Sequence, residues 1–146
     1  MKPSLVEITS KYVGAPYKLG GWSVEEGFDC VSLIATIGED IGLKMPKSFG
    51  DYDRSSYVEI WDKKPLEAKK LMLRFIASLG KEIESNFSSA WDLLVIMDRK
   101  DPLSFIVGIN AGNGLVLSAF TDIGVNLVSL KSAGIRKVYR WVTVQR

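Results

Sequence analysis

The sequence contains no histidine and only one cysteine, Cys30, in 146 residues. The first absence removes the imidazole on which most thiol and serine hydrolases rely for proton transfer near neutral pH. The second excludes an internal disulfide, so nothing requires an oxidising compartment. Together they leave almost no nitrogen or sulfur ligands for zinc, and a metal site would have to be built from carboxylates, which suit harder ions. Asp51 and Asp53 beside Gly50 come nearest to a calcium loop, and they read as a solvated loop. Neither a metal nor a cofactor is expected. No apolar run approaches the ~18 residues of a membrane helix. Met1-Lys2-Pro3-Ser4-Leu5 lacks an apolar core of signal-peptide length, so the expected location is the cytoplasm. A net charge of +2 is too small to argue for nucleic acid or an anionic membrane as partner.

What is present is ordinary for a globular protein: 47% apolar and 25% charged residues, in a length that predicts one domain over 1–146. Ser4 and Glu7 form a capping box ahead of Leu5, Ile8 and Tyr12, with Gly14 placed to end that helix. Residues 15–29 read as an ordered Gly- and aromatic-rich loop. From Cys30, the stripe Ile34, Ile37 and Ile41 predicts a second helix closed by Gly42. Residues 44–64 are mixed and turn-rich, and the aromatics between Tyr52 and Trp61 serve equally well as a binding lip or as core cover. Pro65 and Gly80 bracket a third helix that is apolar nearly all round. Beyond Trp91 the pattern turns to strands: Leu93–Met97, Phe105–Asn110, Leu115–Phe120, Val125–Leu130 and Val138–Val144. Turns at Asp101-Pro102, Asn113-Gly114 and Gly124 separate them. Helices followed by an antiparallel sheet give the α+β class. Residues 47–90 read as a helical insertion within the domain. Lys131, Arg136, Lys137, Arg140 and Arg146 around Tyr139 and Trp141 read as a solvated sheet face.

Cys30 is the residue placed for chemistry. A thiol at a helix start faces amide N–H groups and the positive end of the helix dipole, which lower its pKa and supply donors for an oxyanion. The competing reading is a small buried hydrophobe.

Gly14-x-Pro16-Tyr17-x-x-Gly20-Gly21, then Gly27-Phe28-Asp29-Cys30, Leu33-Ile34 and Gly42-Leu43-x-x-Pro46, resembles the opening of the NlpC family of papain-like cell-wall peptidases. Trp91-Asp92-Leu93-Leu94 resembles that family's Gly-Asp-Leu strand start. Val107-Gly108-Ile109, Gly112-Asn113-Gly114 and Leu117-Ser118-Ala119 resemble its histidine-bearing hairpin. The resemblance implies a papain-like fold with Cys30 as nucleophile, Tyr17 beside it, and Asp29, Trp22, Gly20 and Gly21 in the substrate site. The base and its polar partner would stand at Ile106 and Ser118, facing Cys30 across a groove. Neither residue is a base, and acid–base help is typically worth about 10²- to 10⁴-fold.

The implied ligand is a peptide or a peptidoglycan stem peptide. The Asp-Cys-x-x-Leu helix and Gly-x-x-x-Pro spacing further resemble phage-tail and prophage versions, which implies tail-protein partners and a virion-associated location. Three readings follow: a degenerate binding or assembly domain, a cysteine hydrolase or acyltransferase with an unorthodox base, and a structural domain whose cysteine is incidental.

Overall fold

The computed structural model describes residues 3–45, 48–49, 52–53, 57–84, 88–97, 105–130 and 134–141. Helix α1 (Leu5–Tyr12) begins as the capping box requires. The Glu7 N–H donates to Ser4 Oγ at 3.1 Å, and the Ser4 N–H donates to Glu7 Oε1 at 3.2 Å. Ile8 and Tyr12 are buried one turn apart. The segment expected as a loop holds a short hairpin of β1 (Trp22–Ser23) and β2 (Gly27–Phe28). Its polar backbone groups are satisfied locally: the Phe28 N–H donates to the Pro16 carbonyl at 3.0 Å and the Lys18 N–H to the Phe28 carbonyl at 3.1 Å.

Helix α2 (Cys30–Asp40) is buried on almost every side over its first turns, including Val31, Leu33, Ile34 and Ile37. A helix apolar all round must be covered all round, and two layers do so here. On one side lies the sheet, through β7 (Phe105–Gly112) and β8 (Leu115–Phe120). On the other, Val31 meets α3 (Tyr57–Lys63) and α4 (Pro65–Leu79) through Tyr57, Trp61, Ala68, Leu71 and Met72. Short pairs β3 (Ser48–Phe49) and β4 (Tyr52–Asp53) precede α3. Helix α4 matches its Pro65 and Gly80 brackets; α3 corrects the turn-rich reading of 44–64. From Tyr57 to Trp61 the aromatics are core cover, with Tyr57 5% exposed.

Gly80 does not end α4 in a left-handed turn. Its backbone is extended, and strand β5 (Gly80–Ile83) starts at once. The described sheet runs β5-β10-β6-β7-β8-β9, all antiparallel, with β6 Leu93–Met97, β9 Gly124–Ser129 and β10 Gly134–Trp141. Asn113 (φ 56°) and Gly114 (φ 74°) turn β7 into β8, both in the left-handed region that a tight hairpin needs. The sheet is apolar on both faces. Leu93, Val95, Val107, Ile109, Leu117 and Ala119 join the helices in the main core. Leu94, Ile96, Val116 and Val138 form a second cluster on the opposite face.

The fold is therefore α+β and papain-like. No described helix is long and apolar enough to cross a membrane. Expectations resting on Pro46, Gly50, Asp51, Asp101, Pro102, Lys131, Arg146 and the strand end at 142–144 lie outside the described residues, as do the side chains of Tyr52, Asp53 and Arg136.

Candidate active site around Cys30

Asp29 caps α2 and organises everything near the thiol. It is 1% exposed. Its Oδ1 accepts from the Ser32 N–H at 2.8 Å and its Oδ2 from the Gly20 N–H at 2.8 Å. The Tyr57 hydroxyl donates to Oδ2 as well. The Asp29 N–H donates back to Ser32 Oγ at 3.0 Å, which completes a capping box. One carboxylate thus ties the Gly loop, α2 and α3 together. Gly20 sits at φ +77°, where a side chain is strained, and a Cβ there would run into Val58 of α3 at 2.5 Å.

Cys30 is the first residue of α2, as expected, and β7 lies within its reach. It is not exposed. Met72 of α4 places its Sδ 3.9 Å from the Cys30 Sγ. The expectation of a lowered thiol pKa is overturned: burial, and then the negative charge of Asp29, push Cys30 up to about 12. The backbone N–H groups of Val107, Cys30 and Val31 act in the lowering direction but do not prevail. At neutral pH the thiol is then held protonated. Tyr17 is half-buried beside Cys30 and Asp29, and burial first, then their charges, raise its pKa to about 12. It is no base near neutrality.

The two positions aligned with the missing base lie elsewhere than expected. Ile106 packs against the second cluster, on the sheet face opposite the core that holds Cys30. Ser118 is fully buried, and its hydroxyl donates to the Val107 carbonyl at 2.7 Å. The physical reason is register. Successive strand residues point to opposite faces, and Val107, between Ile106 and Gly108, takes the helix side. Of the implied substrate residues, Gly20 and Asp29 are joined to each other, and Gly21 and Asp29 are buried. Trp22 is partly buried against the core. Tyr57 and Met72, which close the site, were not legible as site residues. Arg140, read as part of a solvated face, is held by the buried Asp92 through Nε at 3.1 Å and Nη2 at 3.0 Å.

A raised thiol pKa has a pH signature. The folded state favours the protonated thiol. That stabilisation is fully present below the ordinary value near 9 and is lost as pH climbs toward about 12. The loss amounts to about 1.4 kcal/mol per pH unit inside that window. Urea unfolding between about pH 9 and pH 11 is expected to show wild type losing stability faster than Cys30→Ala. Parallel curves would mean that the thiol is not buried as described.

The sequence pattern of the NlpC/P60 family matches residues 14–144. A search of the curated proteins finds no match. Among solved structures, the chain is similar to the NlpC/p60 domain of the peptidoglycan hydrolase SagA, with a TM-score of 0.59, 20% identity, and 94% of this chain and 96% of that one covered. It is also similar to the peptidoglycan hydrolase RipB from Mycobacterium tuberculosis (TM-score 0.59, 20% identity, 96% and 64% covered). NlpC2 from Trichomonas vaginalis gives a TM-score of 0.64 at 16% identity, with 94% of this chain and 45% of that chain covered. The chain thus spans nearly all of the SagA domain and less than two thirds of the other two proteins. These likenesses concern the fold, and the family match covers both the Cys30 loop and the sheet: the chain belongs to the NlpC/P60 family.

Proposed function

We propose that this NlpC/P60 chain is a peptidoglycan hydrolase-like domain that binds or assembles and does not cut peptide bonds. The observation that carries the reading is the closed thiol: Cys30 lies under Met72, protonated, beside a carboxylate locked to Tyr57. A nucleophile needs exposure, a partner base and a depressed pKa, and none of the three is provided around Cys30. The ligand class that fits the family is a stem peptide. The Asp29-Cys30-x-x-Leu33 helix and the Gly42-x-x-x-Pro46 spacing support a place among phage-tail or prophage proteins, and α3 and α4 then act as the part of the insertion that seals the old groove.

A second reading has one observation in its favour. The amides of Val107, Cys30 and Val31 are still directed at the sulfur, as stabilisation of a thiolate nucleophile requires. Displacing α3 and α4 would uncover them. The two readings separate in one assay: incubation of the pure protein with synthetic stem peptides, followed by mass spectrometry of the products. No cleavage above the Cys30→Ala background is expected. Turnover by wild type that vanishes in Cys30→Ala would establish the hydrolase instead.

A further inference from the structure

At the far end of α2 from Cys30, about 15 Å along the helix axis, lies a cleft of about 350 Å³ that the thiol site does not use. Ile41, Leu43 and Pro3 form an aliphatic wall, and Trp91 and Trp141 line it along with Ser89, Asp92 and Arg140. We propose that this cleft binds a neutral sugar ring.

The first support is backbone strain. Trp91 has φ +80°, a left-handed conformation in which a bulky side chain is a genuine outlier. Glycine suits such a position. Here the chain carries an indole. Its backbone is clamped on both sides: the Trp91 N–H donates to the Asn110 carbonyl at 2.7 Å, and Trp141 Nε1 donates to the Trp91 carbonyl at 2.7 Å. Strain that is held in place this firmly beside a cavity points to a use for the side chain.

The second support is electrostatic. Asp92 is 2% exposed, and its oxygens accept from Arg140 and from the Ser89 N–H at 2.8 Å. The carboxylate is thereby satisfied, which disfavours a cation or metal. The Arg140 charge is met by Asp92, so the described lining of the cleft carries no net charge with which to attract an anion. A proline-rich peptide also docks on aromatic grooves, and it is the alternative that the titration below distinguishes. What fits is a neutral ligand with an apolar C–H face for the indoles and hydroxyls for a polar rim. A pyranose ring has both, and an apolar wall with a few fixed polar groups is the usual composition of a small-molecule site.

The test is calorimetric titration of the whole protein with two neutral oligosaccharides, cellotetraose and chitotetraose, beside an acidic oligosaccharide and an apolar peptide. Binding of at least one neutral sugar is expected, and neither of the other two should bind. Trp91→Gly relieves the strained φ but gives up the indole's packing against the core, so some loss of melting temperature is expected while the sugar weakens by about tenfold or more. Leu43→Glu, on the partly exposed wall, should weaken it similarly without touching the clamp. The proposal is overturned if no neutral sugar binds, if the peptide or the acidic sugar binds instead, or if both variants bind as wild type does. Cys30 takes no part in these measurements, so their failure would leave the reading of the thiol site standing.

Discussion

Asp29→Ala is expected to destabilise the protein by about 3–7 kcal/mol: about 1 kcal/mol from the lost helix cap, and about 1–3 for each donor left behind, the part-buried Gly20 N–H and the buried Tyr57 hydroxyl. Few single substitutions elsewhere in the chain should cost as much, because few side chains serve three segments at once. Asp29→Asn keeps an acceptor oxygen and should cost less. Both changes remove the negative charge beside Cys30. Since that charge raises the thiol pKa, the folded Asp29→Asn protein should alkylate at lower pH than wild type. Urea unfolding gives the stabilities, and iodoacetamide labelling against pH gives the thiol. An Asp29→Ala cost below about 1 kcal/mol would mean that the carboxylate does not hold the three segments together.

The second large effect concerns Met72. In wild type, labelling of Cys30 requires α3 and α4 to move away, so its rate follows the population of that open form. Met72→Ala removes buried side-chain volume against the sulfur, and methionine truncations in cores cost about 2–5 kcal/mol. If the loss falls on the contact between α4 and α2, about 3 kcal/mol becomes roughly a hundredfold faster labelling, at about 1.4 kcal/mol per factor of ten. A melting temperature that falls while labelling stays slow would show that α4 is not the barrier over Cys30.

These effects were only partly visible in the sequence, and the division follows the range of the interactions. The α1 capping box, the Pro65 start of α4 and the Asn113-Gly114 turn are local, and each left its own residue signature. Strand β5 is four residues long with two charges, which carries little alternation to read. Helix α3 was hidden because its apolar positions, Tyr57, Ile60 and Trp61, lie among charges in a stretch rich in turn formers. The closure of the thiol is longer in range still. Met72 is 42 positions from Cys30, and Tyr57 is 28 from Asp29. Nothing in either local pattern announces the pairing. The direction of Ile106 failed for a different reason. Strand β7 has apolar residues on both faces, so its sequence carries no parity, and an error of one residue turns a side chain to the other side of the sheet. The family pattern located Cys30 and the loop before it, since those features depend on glycines and a cap that are readable in order.

The direct passage of α4 into β5 has a mechanical consequence. Gly80 is pinned against the Arg140 backbone, and β5 is held to β10 from Gly80 to Ile83. Helix α4 is therefore fastened to the sheet at one end and held along its length by side-chain packing, while α3 beside it is fastened to α2 by the Tyr57–Asp29 hydrogen bond. A rotation about Gly80 is one opening motion that this connection permits. Met72 lies eight residues from that pivot, about 12 Å at 1.5 Å per residue, so a swing of about 20° carries its sulfur about 4 Å from Cys30. Such a lever is long enough to uncover the thiol while β5 stays paired to β10, and the Tyr57–Asp29 hydrogen bond is a contact that an accompanying movement of α3 would have to break.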